Sequence, residues 1–371
     1  MIDTLAEAPL SGPTLAAKLK GIGLAILRPI VVVILALLAG MVIILFTHQD
    51  PLVAYETLLI EPFKSSASIL AMLFYAIPLV LTGLAAAVAF RANIFNIGGE
   101  GQLQIGALLG AAAALYFAKL PAVVLVPLVV VVGAIGGALW ASIAGWIRAY
   151  WGATELVSTI MLNYVAIDIA AYMISSGAPL ASSNGAGTST NTIPSAAWFA
   201  TIGPAGSQFH WGVIVPIAAA LLVFALLYVT PLGYEIRMVG ANAPFAQYGG
   251  VAVPRVIIGA MAISGALAGI GGSVQVMGLY HAYNQSFTDP QWGFTGVTVA
   301  LLARLEPLGV IVAALLYALL EEGGQLIENN TNVSHNIVGV IQGLLILFVT
   351  VQVSVRWWRG RARRTGHVAN A

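Results

Sequence analysis

Residues 27–355 form a succession of apolar runs separated by short polar stretches, and the longest, 121–147, contains no charged side chain. Nothing else in the chain constrains its fold as tightly. A hydrocarbon core of about 30 Å takes about 20 mostly apolar residues to cross as a helix, fewer where a segment is broken or re-entrant. Ten runs qualify: 27–47, 68–90, 102–118, 121–147, 155–174, 211–229, 255–277, 292–303, 307–327 and 336–355. Two of them, 102–118 and 292–303, are short, and each is followed by a proline (Pro121, Pro307) and then a long apolar run. Composition removes the alternative of a water-soluble globule: 60% of residues are hydrophobic and 8% charged, against roughly 25% charged in soluble domains. The expected fold is all-α, a polytopic membrane protein of ten transmembrane or re-entrant helical elements. It divides into an N-terminal segment 1–26, a transmembrane domain 27–355 and a basic tail 356–371. Asp3 and Glu7 come first and the apolar stretch 22–46 is longer than the core of a signal peptide, so that stretch reads as a retained helix.

Charge placement supplies an orientation. Cytoplasmic loops collect Lys and Arg, and ten crossings with the N-terminus inside put thirteen of the fifteen basic residues on the inner side, leaving Lys64 and Lys119 outside. Both termini are then cytoplasmic. Five elements lie on each side of the stretch 230–254, an odd number, so a repeat of one half in the other is inverted in the membrane. The halves share an order of features: a polar, glycine-bearing break (96–102 and 289–293), a short apolar segment, a proline, then a long helix. The tail, with Trp357 and Trp358 among Arg356, Arg359, Arg361, Arg363 and Arg364, reads as an interfacial anchor rather than a nucleic-acid site.

The stretch 230–254 is the longest one of mixed charge and polarity between two apolar spans. Asn242 is a good helix N-cap, Ala243 and Pro244 suit a first turn, and Gly249 with Gly250 permits a stop. That predicts a short helix, 243–248, within a loop outside the bilayer. One or two turns are marginal in water, so this helix rests either on its own helix ends or on a partner. The outer stretch 175–208 is neutral and rich in Ser, Gly, Thr and Asn, and reads as a loose extracytoplasmic loop.

Polar groups inside membrane runs are costly and mark either a pathway or helix–helix glue. On the fifth run Glu155, Thr159 and Asn163 share a face, with Tyr164 and Asp168 on a neighbouring one. Gln275, Gln325, Gln342, Glu321 and Glu322 carry the same two readings. The break containing Asn93, Asn96, Glu100 and Gln102 cannot face lipid, because its backbone groups would go unsatisfied there. It is buried in protein or lines a water-filled cavity, as the broken helices of transporters do. Gly106/Gly110, Gly133/Gly137 and Gly265/Gly269 are small-xxx-small pairs suited to close helix packing.

No cysteine is present, which excludes disulfides, thiolate chemistry and Cys-ligated metals, and no two of the five histidines have a metal-ligand spacing. No lysine follows a glycine, so no phosphate loop of the Walker A type exists, and no catalytic triad or dyad is recognisable. A chain driven by nucleotide would need another subunit to hydrolyse it. The rival is a secondary transporter, ion- or proton-coupled and acting alone, which mid-span Asp168 and inverted repeats would also permit.

Four stretches carry a family likeness: Pro78-Leu-Val-Leu-Thr-Gly-Leu-Ala-Ala-Ala-Val-Ala-Phe-Arg-Ala-Asn-Ile-Phe-Asn-Ile-Gly-Gly-Glu-Gly-Gln-Leu, Thr159-Ile-Met-Leu-Asn-Tyr-Val-Ala, Gly233-Tyr-Glu-Ile-Arg-Met-Val-Gly-Ala-Asn and Gly293-Phe-Thr-Gly-Val-Thr-Val-Ala-Leu-Leu-Ala-Arg. In this order they resemble the nucleoside-type permeases of bacterial ABC importers, within the larger group of ribose and branched-chain amino-acid permeases. The resemblance implies an inner-membrane subunit for a nucleoside or similar small polar solute. It also implies a second homologous permease in a heterodimer, a cytoplasmic ATPase that holds the ATP and Mg, an extracytoplasmic binding protein and no cofactor in this chain; the remaining partner is membrane lipid, with no nucleic acid. It makes 243–248 the coupling helix, with Gly233, Tyr234, Glu235, Arg237, Gly240, Asn242, Phe245, Tyr248 and Gly250 as the residues that face or support the ATPase. Asn93, Asn96, Glu100, Gln102, Glu155, Asn163, Asp168 and Gln342 are the candidates for the translocation pathway. The sequence departs from the family pattern at Ala243, where a proline is usual after the asparagine, and at Phe245, where a small residue is usual.

Overall fold

The structure is a computed structural model that describes residues 50–183, 187–204, 206–288 and 291–330, with shorter pieces in 34–46 and 339–347. Regular structure among the described residues is helical, interrupted only by isolated β-bridges. After helical pieces in 34–46 comes a short helix that the apolar runs did not announce: α1, Pro51–Leu59, capped by Asp50, whose side chain accepts from the Leu52 N–H at 2.9 Å. Nine residues cannot cross a bilayer, and no run of 20 flagged it. Next come α2, Ser66–Arg91, α3, Gly99–Tyr116, α4, Ala122–Trp146, and α5, Glu155–Ile174. A π turn, Ile147–Trp151, ends α4. The second part holds α6, Ile214–Val229, α7, Pro231–Ala241, α8, Ala243–Tyr248, α9, Val253–Gln275, α10, Trp292–Leu302, and α11, Pro307–Asn330.

Among the described residues, six helical stretches are long and apolar enough to cross a membrane: Ser66–Arg91, Ala122–Trp151, Glu155–Ile174, Trp211–Val229, Val253–Tyr280 and Pro307–Asn330. The predicted runs 27–47 and 336–355 fall mostly outside the described residues. Burial differs between the spans: 72% of the apolar window of α2 is enclosed by the chain, against 28% for α5 and the same for the span that α4 forms with its π turn. Helix α2 is therefore central, while α5 offers most of its surface to lipid or to another protein. Beside it α3, α4 and α9 pack at backbone distance. A Cβ added to Gly137 would stand 2.1 Å from the Gly265 carbonyl oxygen, and one on Gly106 would stand 2.3 Å from the Gly269 Cα. Without water-driven burial to hold helices together in lipid, such close contact is what binds them.

Two expectations are corrected. The stretch 230–254 is not a loop with one short helix but a pair of helices. Thr230 caps α7, accepting from the Gly233 N–H at 3.1 Å with Pro231 in the first turn, and Gly233, Ile236 and Val239 bury one side at helical spacing. Asn242 ends α7 and caps α8, accepting from the Phe245 N–H at 3.1 Å. The predicted bounds of the short helix, 243–248, are those observed. The second correction concerns 175–208, which is pinned rather than loose. The N–H groups of Thr190, Ile193 and Phe199 donate to the carbonyls of Tyr283, His281 and Met277 at 2.8, 2.8 and 3.1 Å. Trp198 stacks on His281 at 3.8 Å. Its partners are the carbonyls at and beyond the π turn Val276–Tyr280 that ends α9, and a polar composition gives no hint of so distant a partner.

Candidate functional site

Helix α2 stops where Asn93 takes a left-handed turn, φ +58, which asparagine tolerates better than most residues. The chain then runs without helix until α3. Backbone groups freed inside a membrane need partners from the protein, and α5 supplies them. Phe95 N–H donates to Glu155 Oε1 at 3.3 Å, Ile97 N–H to Thr159 Oγ1 at 3.4 Å and Gly101 N–H to Asn163 Oδ1 at 2.8 Å. Asn163 Nδ2 returns a bond to the Ile97 carbonyl at 2.9 Å. The i, i+4 spacing of these three α5 residues sets one acceptor per turn along the break. Arg148 in the π turn holds the second Glu155 oxygen at 3.2 Å.

Asn96 sits inside this lattice. Its Nδ2 donates to Gln102 Oε1 at 3.0 Å and Ser264 Oγ at 2.8 Å, and its Oδ1 accepts from Gly98 N–H at 2.9 Å and Gln102 Nε2 at 3.0 Å. Glu100, in the first turn of α3, reaches across to the other half of the chain. One of its oxygens accepts from the Gly293 N–H at 2.8 Å, at the N-terminus of α10, where a negative group is favoured. The other accepts from Gln104 Nε2 at 3.0 Å, and Gln104 Oε1 accepts from Tyr283 OH at 2.7 Å. The two glycine-bearing breaks thus meet face to face. A Cβ on Gly293 would lie 2.1 Å from the Glu100 nitrogen, so only glycine allows that approach.

Asn96, Glu100, Gln102, Glu155 and Asn163 are gathered into one buried cluster. Asn93 is exposed at its edge. Asp168 does not join: five residues beyond Asn163, about 140° round the helix, it lies exposed on the outer face of α5 with Met161, Tyr164 and Tyr172. Gln342 lies outside the described residues. Sequence reasoning passed over Arg148, Gln104, Ser264 and Tyr283. Gln104 stands two residues after Gln102 and was within reach of the same argument. Ser264, a small residue in a glycine-rich helix, had no pattern to mark it.

Residues 68–350 match the model of a family described as the branched-chain amino acid transport system / permease component. The chain belongs to this permease family. It is similar to the glucose ABC transporter permease protein TsgB13 of Haloferax volcanii, 33% identical over 330 residues that cover 86% of each chain. It is similar to the nucleoside ABC transporter permease protein NupB of Lactococcus lactis subsp. cremoris, 33% identical over 340 residues, 88% of this chain and 91% of that one. The guanosine ABC transporter permease protein NupP of Bacillus subtilis is 32% identical over 343 residues, 92% of this chain and 97% of that one. The permease is a multi-pass membrane protein and a translocation component, not an enzyme.

At one end of the permease stand all five described arginines, Arg91, Arg148, Arg237, Arg255 and Arg304; Lys64 and Lys119, the described lysines, flank helices at the other. Helices α7 and α8 lie at the arginine end. Helix α8 buries Ala246 and leaves Phe245 65% and Tyr248 93% exposed, with Tyr234 on α7 56% exposed. Three aromatic side chains left uncovered by the chain on two short helices form a surface suited to a partner. Behind them α7 is locked to the bundle: a Cβ on Gly240 would stand 2.0 Å from the Arg91 carbonyl oxygen, and one on Gly233 1.9 Å from that of Leu226. Glu235 is half-buried. Arg237 turns inward, donating to the Leu227 carbonyl and lying over the Tyr228 ring at 5.2 Å, rather than outward beside Phe245.

Proposed function

We propose that the chain is the membrane permease subunit of an ABC importer for a nucleoside or a similar small polar solute. It works in the bacterial inner membrane with a second, homologous permease, a cytoplasmic ATPase that binds the ATP and Mg, and an extracytoplasmic binding protein. The observation that carries this reading is the exposed aromatic surface of α7 and α8 on a family permease with no nucleotide-binding motif of its own. Gly233, Gly240, Asn242 and Gly250 shape that surface, Tyr234, Phe245 and Tyr248 contact the ATPase, and Glu235 and Arg237 back them. Nucleoside and guanosine relatives that match nearly the whole chain support the solute class.

The reading includes ten crossings, an inverted repeat of five and five, and both termini on the cytoplasmic side. The gathering of arginines at the α7–α8 end supports that orientation, and the meeting of α3 with α10 at Gly99 and Gly293 supports the repeat. The pathway runs between the two permeases along the exposed face of α5 and the break behind it. A carboxylate on that face is costly against lipid, which supports a protein or water-filled covering over Asp168. Asn93, Asn96, Glu100, Gln102, Glu155 and Asn163 define the wall of the pathway, with Gln342 assigned there from sequence. Reconstitution tests the proposal: vesicles holding the permeases without the ATPase should not accumulate guanosine against a gradient, and those with ATPase, binding protein and ATP should. Accumulation driven by an ion gradient alone would replace this reading with a secondary transporter.

A further inference from the structure

The arginine end holds a cluster that the pathway and the docking surface leave unexplained. Arg91, the last residue of α2, donates from Nη2 to Tyr228 OH on α6 at 2.8 Å and to Glu306 Oε1, and from Nε to the Leu305 carbonyl at 3.3 Å. Tyr228 OH donates in turn to Glu306 Oε2 at 2.6 Å. Two guanidinium groups address the Tyr228 ring, Arg91 at 5.7 Å and Arg237 of α7 at 5.2 Å. The ends of α2 and α6, the middle of α7 and the turn between α10 and α11 are thus tied at one point.

That turn is strained. Arg304 and Leu305 are consecutive non-glycine residues in the left-handed region, with φ +56 and +61, a conformation that persists only where the surroundings impose it. The Arg91 bond to Leu305 and its ion pair with Glu306 are two of those constraints. At its other end α10 begins beside Gly293, whose N–H is held by Glu100. Helix α10 is therefore a short strut of 11 residues between the clasp and the buried meeting of the two breaks. A second route is shorter still, because Gly240 of α7 presses on the Arg91 carbonyl and the unwound segment starts just beyond it.

We propose that Arg91, Tyr228 and Glu306 form a clasp through which displacement of α7 and α8 reaches the break at 92–98 and, by way of α10, Glu100. The proposal rests on α7 and α8 being the ATPase contact. The clasp residues are positioning residues: they touch neither nucleotide nor solute. Arg91 gives Glu306 a single bond while Tyr228 OH takes its second oxygen; a partly exposed pair of this kind adds little to static stability, so its place at this joint is better explained by transmission than by holding the fold together. A rigid network of charge-assisted bonds moves as one body, whereas apolar side chains there would let the helix ends slide.

The absence of cysteine in the chain makes paired spin labels a direct test in the assembled transporter. One pair, at Gln247 and Tyr150, reports on α8 against the end of α4, outside the clasp; a second, at Phe95 and Val157, reports on the break. Distances are measured without nucleotide and with ATP plus vanadate. In the native background both pairs should shift. In Glu306→Gln and in Tyr228→Phe, which alter a half-exposed carboxylate and a single hydroxyl, the 247–150 shift should persist with the ATPase still bound, and the 95–157 shift should be lost. A 95–157 shift that survives in both single variants overturns the clasp. Absence of that shift in the native transporter overturns it too, while leaving α8 as the ATPase contact. No 247–150 shift in the native transporter removes the coupling reading and the clasp with it.

Discussion

Glu100 shows how a carboxylate can be legible in the sequence while its partners are not. Its position in a glycine-rich break singles it out, yet its two oxygens are consumed by the Gly293 N–H and the Gln104 amide. Glu100→Gln keeps the shape but offers one acceptor where two are used, and Gln104 cannot simply flip because its oxygen already accepts from Tyr283. The change should cost about 1–3 kcal/mol, the range for a buried polar group left unpaired, read as a lower melting temperature of the purified protein. Transport should fall with it if the break forms the pathway wall; native transport with a lowered melting temperature would confine Glu100 to packing. His210 makes a second case. Burial, and then the nearby His281, pushes its imidazole down to about 4. The unfolded chain, with a histidine pKa of about 6.5, takes up a proton before the folded protein does. The stability this site contributes is therefore full above about pH 6.5 and is lost as pH falls towards about 4. Melting temperatures should drop across that window, and less steeply in His210→Phe; parallel curves would show that this proton is irrelevant.

At the scale of elements, α8 is the clearest candidate for a moving part. Six residues make a rod of about 9 Å, capped by Asn242 and closed where Gly250 takes φ +84. It buries only Ala246 against the rest of the chain, too little to stand alone, so its stability depends on α7 and on whatever covers Phe245 and Tyr248. Replacing Phe245 and Tyr248 together by alanine should leave the permease in the membrane while the ATPase no longer co-purifies, or hydrolyses ATP without response to loaded binding protein. An unchanged complex with unchanged stimulation would move the contact elsewhere. Truncating two exposed aromatic anchors typically costs an interface several kcal/mol, which is ample to release a partner held at micromolar strength.

For the whole molecule the question is sidedness and company. The arginine end and the lysine end are separated by the length of the spans, and α5 turns Asp168 away from its own bundle. A cysteine placed at Thr188, exposed in the pinned segment at the lysine end, should react with an impermeant reagent in intact cells, and one at Gln247 only after permeabilisation. Reaction at Thr188 only after permeabilisation would invert the orientation and dismiss α8 as a cytoplasmic contact.

The sequence by itself determined what local physics controls. Hydrophobic length specified α2, α4, α5, α6, α9 and α11, since a helix is the form in which a single chain segment satisfies its own backbone in lipid. Cap and stop residues specified α8 to the residue, because Asn242 and Gly250 act within a few positions of themselves. Helix α7 escaped because its mixed polarity reads as loop until one sees the buried side that Gly233, Ile236 and Val239 present to α6 and α9. Only the tertiary structure decided which polar residues meet. Glu155, Thr159 and Asn163 share a face by periodicity, but that their partner is the backbone of 95–101 depends on how α5 lies against α3. The bond from Glu100 to Gly293 spans 193 positions, and Arg91 finds Glu306 across 215. Such pairings leave no local trace, because each is fixed by the packing of helices whose order in space the sequence pattern does not encode.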